Sequence, residues 1–184
     1  VHFGPNAIAG AINFITDVDY DNSYTIGGSN EDNFNLNYNK TKITINDWHL
    51  NFKGSVNNNE TKSAIAKGKE KDSSKNYQIN LNGVKWLSDN VKFKSTLYGR
   101  KTKSDYDGSA TNERGFVSDN KMYALQSGLE HKTKNSESDL KVHYHKYDRE
   151  YANNGFLDEY YSESIVLRGE RNFEKNSSVS FGYG

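Results

Sequence analysis

The sequence predicts an all-β protein: an antiparallel sheet of the kind that forms transmembrane β-barrels. Three observations lead there. Apolar and polar residues alternate with period two, as in NFNLNYN, where Phe34, Leu36 and Tyr38 interleave with Asn33, Asn35, Asn37 and Asn39. Successive side chains of a strand point to opposite faces, so this segment has one apolar face and one carboxamide face. Only 33% of the 184 residues are hydrophobic and the mean hydropathy is -0.97, yet 13% are aromatic. Soluble domains run nearer ~45–50% apolar and disordered chains are poor in aromatics, so a sheet wet on one face fits better than either. Finally, most alternating segments reach the roughly 9–11 residues that a strand needs to cross a bilayer, against about 5–6 for strands of soluble sheets.

The pattern places about nine strands, at 22–29, 33–40, 47–56, 75–86, 90–103, 120–132, 137–150, 158–172 and 177–184. In the fourth, Tyr77, Ile79 and Leu81 alternate with Asn76, Gln78, Asn80 and Asn82. Val91, Phe93 and Leu97 share a face of the fifth, with Lys92, Lys94 and Thr96 opposite. Tyr123, Leu125 and Leu129 share a face of the sixth, and Leu140, Val142 and Tyr144 oppose Lys141, His143 and His145 in the seventh. Ile165 and Leu167 give a weaker case in the eighth, and Val179, Phe181 and Tyr183 close the series. Period-two patterning this persistent argues for sheet over helix. Short polar turns at 87–90, 133–137 and 174–178 contrast with longer loops at 57–74, 104–119 and 151–157, the asymmetry of outer-membrane barrels. With many Lys and Asn and few apolar residues, 57–74 is expected to be mobile. A soluble sandwich, a β-solenoid or another soluble β-sheet binding module is the alternative. A sandwich needs an apolar core shared by two sheets, whereas several inward faces here would carry Asn and Lys.

Charge narrows the function. With 24 basic and 24 acidic residues the chain has no basic field to hold nucleic acid. It has no cysteine, hence no disulfide scaffold or Cys-based zinc site. No run of ~18 apolar residues forms a transmembrane helix, and no signal peptide is visible. No nucleophile elbow accompanies the Ser, His and Asp residues, so the chain is not expected to be an enzyme. His143 and His145 fall on one face of one strand, spaced to hold a metal but more simply read as polar lumen residues. In SDYDGS, Asp105 and Asp107 precede Gly108; alternate carboxylates are hard-oxygen ligands suited to Ca²⁺, and an ordinary Asp-Gly turn competes with that assignment. Tyr106, Phe116, Tyr147, Tyr151 and Phe156 sit in or near the long loops. Exposed aromatics there can grip a flat ligand by apolar contact and stacking. Tyr147 is assigned instead to the aromatic girdle of a barrel.

The first sixteen residues, VHFGPNAIAGAINFIT, do not alternate and are the least polar of the chain. By themselves they read as a tightly packed turn entering a buried strand. GPNAIAGAINFIT also resembles the end of the plug domain of TonB-dependent outer-membrane receptors. Gly4, Ala7, Ile8, Gly10, Ile12, Asn13, Ile15 and Thr16 match that family's pattern, while Phe3, Ala9 and Phe14 depart from it. Within the family, the run from Tyr98 to Tyr161 looks most like the first half of the barrel of cobalamin receptors.

The resemblance implies a barrel of about 22 strands filled by an N-terminal plug. Residues 1–18 would then end the plug and 19–184 would form the first part of the barrel, so the chain is expected to be a piece that cannot form a transport-competent pore alone. It implies a location in the outer membrane of a Gram-negative bacterium and contact with that membrane's lipid. It implies energisation by TonB through a segment absent from this chain. Its ligand would be a scarce nutrient, cobalamin first, with an iron siderophore or haem as alternatives. No cofactor is required, although Ca²⁺ bound by Asp105, Asp107 and Asp158 in external loops is implied by likeness to cobalamin receptors. Phe34, Leu36 and Tyr38 would face lipid, and the alternating asparagines would face a wet lumen. A small complete outer-membrane barrel with a structural or adhesive role is the competing expectation, and it has no use for the plug-like motif.

Overall fold

The computed structural model describes residues 22–28, 33–62, 71–105, 116–153, 155–173 and 177–183. Among these residues nine strands form one antiparallel sheet in sequence order: β1 (Ser23–Gly28), β2 (Phe34–Ile45), β3 (Trp48–Lys62), β4 (Lys71–Ser88), β5 (Val91–Asp105), β6 (Phe116–Lys132), β7 (Ser136–Asn153), β8 (Phe156–Phe173) and β9 (Ser177–Tyr183). No helix occurs among the described residues. β1 and β9 each keep one edge unpaired there, so the sheet is open and not closed into a barrel.

β2 to β8 are longer than the alternation implied. β4, β7 and β8 have 18 residues each. The expected loop 57–74 is strand at 57–62 and 71–74, and 151–157 shrinks to the two residues between β7 and β8. The cause is continued cross-strand pairing: Asn59 pairs Ser74 and Tyr151 pairs Asp158, so polar residues that read as loop extend the ladder. The rest of 57–74, like the 1–18 segment with its Gly4, Ala7, Ile8, Gly10, Ile12, Asn13, Ile15 and Thr16, lies outside the described residues.

The β2–β3 hairpin also turns later than expected, at Asn46 and Asp47. Their φ values of 46° and 64° make a two-residue turn of the primed type, whose twist matches the flanking strands. Register slips between Lys40 and Ile43. There the N–H of Thr41 donates to Asn22 Oδ1 at 2.8 Å and that of Lys42 to Asn51 Oδ1 at 3.1 Å, which satisfies donors that a bulge removes from the ladder.

Directly opposed residues share a face. The register therefore puts Leu36, Val56 and Tyr77 on one side with Phe52, Leu81, Leu97, Leu125, Tyr144 and Ile165. The opposite side carries Asn35, Asn37, Asn39, Asn76, Gln78, Asn80 and Asn82 with Thr96 and Gln126. No hydrophobic residue is buried among the described residues. The large exposed hydrophobics stand on the apolar face, apart from Trp86, Leu87, Phe156 and Tyr160. Nothing within the described chain covers that face.

Candidate functional site

The apolar face is a band with two edges. Toward the long connections its run free of charged and amide residues ends at Val56 and Tyr77 on β3 and β4, Gly99 and Tyr123 on β5 and β6, and Tyr144 and Ile165 on β7 and β8, each a directly opposed pair; Val117, Leu157 and Tyr161 stand beyond it, past charged residues. The row of Tyr77 continues through Lys101, Lys121, Asp148 and Tyr161. The edge therefore drops two residues from one pair of strands to the next. Four residues at about 3.4 Å each, over four strand spacings of about 4.8 Å, make an angle of about 35°. The opposite edge follows it: Trp48 on β3 and Phe173 on β8 each lie eight residues from the upper edge of their strand. That is about 27 Å along the strand and about 22 Å across the band. Aromatic residues mark both borders, Tyr77, Tyr123 and Tyr144 above, and Trp48 below with its ring 5.7 Å from that of Phe93. Arg171 lies inside the lower border with its guanidinium 5.0 Å from the Phe173 ring. A shallow depression within the band, between Trp48, Leu50, Leu81 and Leu97, is left by the missing side chain of Gly83.

The polar face has three zones. Near the tight turns, Lys92 Nζ lies 2.7 Å from Glu130, which also pairs with Lys94; Lys141 pairs with Asp139 at 3.1 Å and Arg168 with Glu170 at 3.0 Å. In the middle, carboxamides and hydroxyls bond one another: Thr96 Oγ1 donates to Asn82 Oδ1 at 2.8 Å, and Arg100 Nε donates to Asn76 Oδ1 at 2.9 Å. His143 and His145 lie here, opposite Gln126 and Ala124. No group of three or more His, Cys, Asp or Glu able to hold a metal occurs among the described residues.

The third zone lies at the end of the long connections. Phe116, Tyr147, Arg149, Tyr151, Phe156 and Tyr160 all stand on the polar face of β6, β7 and β8. The Arg149 guanidinium sits 4.0 Å from the Tyr151 ring centre, and Tyr151 meets Tyr160 edge to face at 6.0 Å. Tyr147 donates its hydroxyl to Asn120 Oδ1 at 3.1 Å, and Asn120 Nδ2 donates to Ser118 Oγ at 2.9 Å. Arg149 Nε is buried without a hydrogen-bond partner among the described residues. Phe156 and Tyr160 remain open, 77% and 57% exposed. The cluster offers aromatic faces and one guanidinium, and it contains no nucleophile and base pair. Its chemistry is that of gripping a flat or apolar ligand.

Three of the expected ligand contacts, Phe116, Tyr151 and Phe156, are brought together here, on strands and not on loops; Tyr106 lies outside the described residues. Tyr147 corrects its assignment to the girdle, since strand parity puts it on the face away from the apolar band. Arg149 and Tyr160 escaped the sequence because Tyr160 and Tyr161 are adjacent and only register separates them, one to each face. Two of the implied calcium ligands, Asp105 and Asp158, stand apart. Asp105 stands at the end of β5 on the apolar side and accepts a hydrogen bond from Ser73 Oγ at 2.5 Å. Asp158 is three strands away on the polar side, opposite Tyr151. Three spacings of about 4.8 Å and the thickness of the sheet keep the two off one ion. Asp107 lies outside the described residues.

Compared with protein-family models, with curated proteins and with solved structures, the chain finds no match.

Proposed function

We propose that this chain is part of a TonB-dependent outer-membrane receptor, which binds a scarce nutrient at the cell surface and imports it. The observation that carries the membrane half is the oblique apolar band. Its slope of about 35° falls in the range of strand tilts in outer-membrane barrels, and its height of about 22 Å is close to their apolar belt of about 25 Å. Aromatic borders and an apolar face that no other described element covers agree with lipid as the covering medium. The plug-like GPNAIAGAINFIT supports the family.

On this proposal the carboxamide face lines a water-filled lumen, where Asn offers donors and acceptors without adding fixed charge. The cluster of Tyr151, Tyr160, Phe156 and Arg149 stands above the band on the lumen side and takes the ligand. Transport makes and breaks no bond; the plug moves when TonB pulls it. Cobalamin is the lead ligand, followed by an iron siderophore or haem. A small complete barrel would pair its outermost strands, and among the described residues β1 and β9 do not pair.

The test is a binding titration of the purified full-length protein with cyanocobalamin, a ferric siderophore and haemin. Saturable binding of one of them, weakened at least about tenfold by Tyr151→Ala with Tyr160→Ala, is the expected result. No saturable binding of any would overturn the nutrient assignment, and failure of the folded protein to enter bilayers would overturn the membrane half.

A further inference from the structure

On four successive strands the first outward side chain beyond the upper edge of the band is a lysine: Lys75 after Tyr77 on β4, Lys101 after Gly99 on β5, Lys121 after Tyr123 on β6 and Lys146 after Tyr144 on β7. The flanking strands place Asn58 and Glu163 there instead. The lysines thus follow the same descending edge as the apolar residues, and they span three strand spacings, about 14 Å.

Two directly opposed pairs in this zone are of like charge. Lys75 faces Lys103, and Lys101 faces Lys121. Like charges directly opposite destabilise a sheet unless something neutralises them. Internal partners do so incompletely. Lys101 reaches Asp119 at 3.6 Å, Lys121 reaches Glu150 at 3.3 Å and Lys146 reaches Asp148 at 3.9 Å. These are accessible ion pairs of the weak, easily exchanged kind. Lys75 and Lys103 are exposed and carry no ion pair among the described residues. Four carboxylates of β5–β7, Asp105, Asp119, Asp148 and Glu150, share this outward face with the five lysines, and Glu163 of β8 faces Lys146; those on β5–β7 stand farther out, so on β4–β7 the row nearest the band, at the level where lipid headgroups begin, is lysine alone. Lysine stems can lie along the apolar border while the ammonium groups reach outward.

We infer that this lysine row binds phosphate-bearing headgroups of the lipid leaflet on the side of the long connections. The inference rests on the membrane assignment above. It adds that the outer surface selects anionic lipid at β4–β7 and not at β8, where Glu163 and Glu159 hold the same outward face.

The experiment titrates the full-length protein in non-ionic detergent with fluorescent phosphatidic acid and, separately, with fluorescent diacylglycerol of the same chains. Phosphatidic acid should bind about tenfold or more tightly than diacylglycerol, and inorganic phosphate at millimolar concentration should not displace it, which separates a lipid headgroup from free phosphate. The variant Lys75→Gln, Lys101→Gln, Lys121→Gln, Lys146→Gln should lose that preference, while Lys92→Gln with Lys94→Gln on the other face should retain it. The lysine-to-arginine version of the row, and a rise from about 0.05 to 0.5 M salt that weakens wild-type binding about tenfold, keep the test decisive if the glutamine variant does not fold. Equal affinity for both lipids, salt-insensitive binding, or a glutamine variant within twofold of wild type would overturn the inference. If the protein enters bilayers and shows no lipid preference, the lysine row fails alone; if it does not enter them, the membrane assignment fails with it.

Discussion

Replacing Leu81 by Arg tests the slope of the band directly. On β4 the band runs from Tyr77 toward Lys85, and Leu81 lies midway. In a lipid-embedded barrel, Arg at the bilayer midplane costs about 2–4 kcal/mol and near the interface about 0–1 kcal/mol. Leu81 is already 39% exposed in the sheet. If water covered that face, the substitution would therefore cost within about 0.5 kcal/mol, as surface changes do. Tyr144 on β7 lies in the same row of opposed residues as Leu81, through Leu97 and Leu125. A band perpendicular to the strands would make the two positions equivalent. The oblique band puts Leu81 at mid-depth and Tyr144 at the border. Leu81→Arg should then lose about 2–4 kcal/mol and Tyr144→Arg no more than about 1 kcal/mol, with Gln126→Arg on the polar face near zero. Urea-unfolding midpoints of the full-length protein in phospholipid vesicles, followed by tryptophan fluorescence, measure all three. Equal losses at Leu81 and Tyr144 would refute the tilt, and equal losses at Leu81 and Gln126 would refute lipid on the apolar face.

Further expectations concern the sheet itself. A Cβ on Gly128 would stand 2.6 Å from the Leu140 carbonyl oxygen, which is backbone, so Gly128→Ala should lower the unfolding free energy by about 1–3 kcal/mol. Gly182→Ala meets nothing nearer than 3.7 Å and should change it little in the same unfolding assay. Asn46→Val puts a β-branched residue at φ 46° and should destabilise by about 1–2 kcal/mol, whereas Asp47→Gly at φ 64° should be neutral or slightly stabilising. Glu130→Gln leaves Lys92 and Lys94 without their shared partner and should cost about 1 kcal/mol, less at high salt, by the same denaturant titration.

Alternation alone gave the fold class, because a side-chain period of two is a local property that NFNLNYN displays without any partner. Strand ends were less legible. Asn57, Asn58 and Asn59 look like a loop in isolation, and only pairing with Asn76, Lys75 and Ser74 makes them strand. The Asn46–Asp47 turn had a local signal, two residues tolerant of positive φ, that the broader polarity of 41–47 hid. The aromatic cluster was partly legible. Phe116, Tyr151 and Phe156 could be picked as aromatics near loops, but that they converge, and that Arg149 and Tyr160 join them, depends on the register of three strands. The lysine row is invisible in sequence for the same reason: residues 75, 101, 121 and 146 share no spacing, and they align only along a sloping edge.

The most direct test of the central claim, that one face of this sheet lies in lipid and the other in water, is a nitroxide scan of residues 121 to 131 on β6 in the full-length protein reconstituted in bilayers. Collision rates with oxygen and with a water-soluble nickel chelate report lipid and water separately. Period two is expected, with Tyr123, Leu125 and Leu129 oxygen-accessible and Ala124, Gln126 and Gly128 shielded from oxygen or open to nickel. The oxygen signal should fade beyond Tyr123, at Lys121. Nickel access on both faces, or no period at all, would contradict the account.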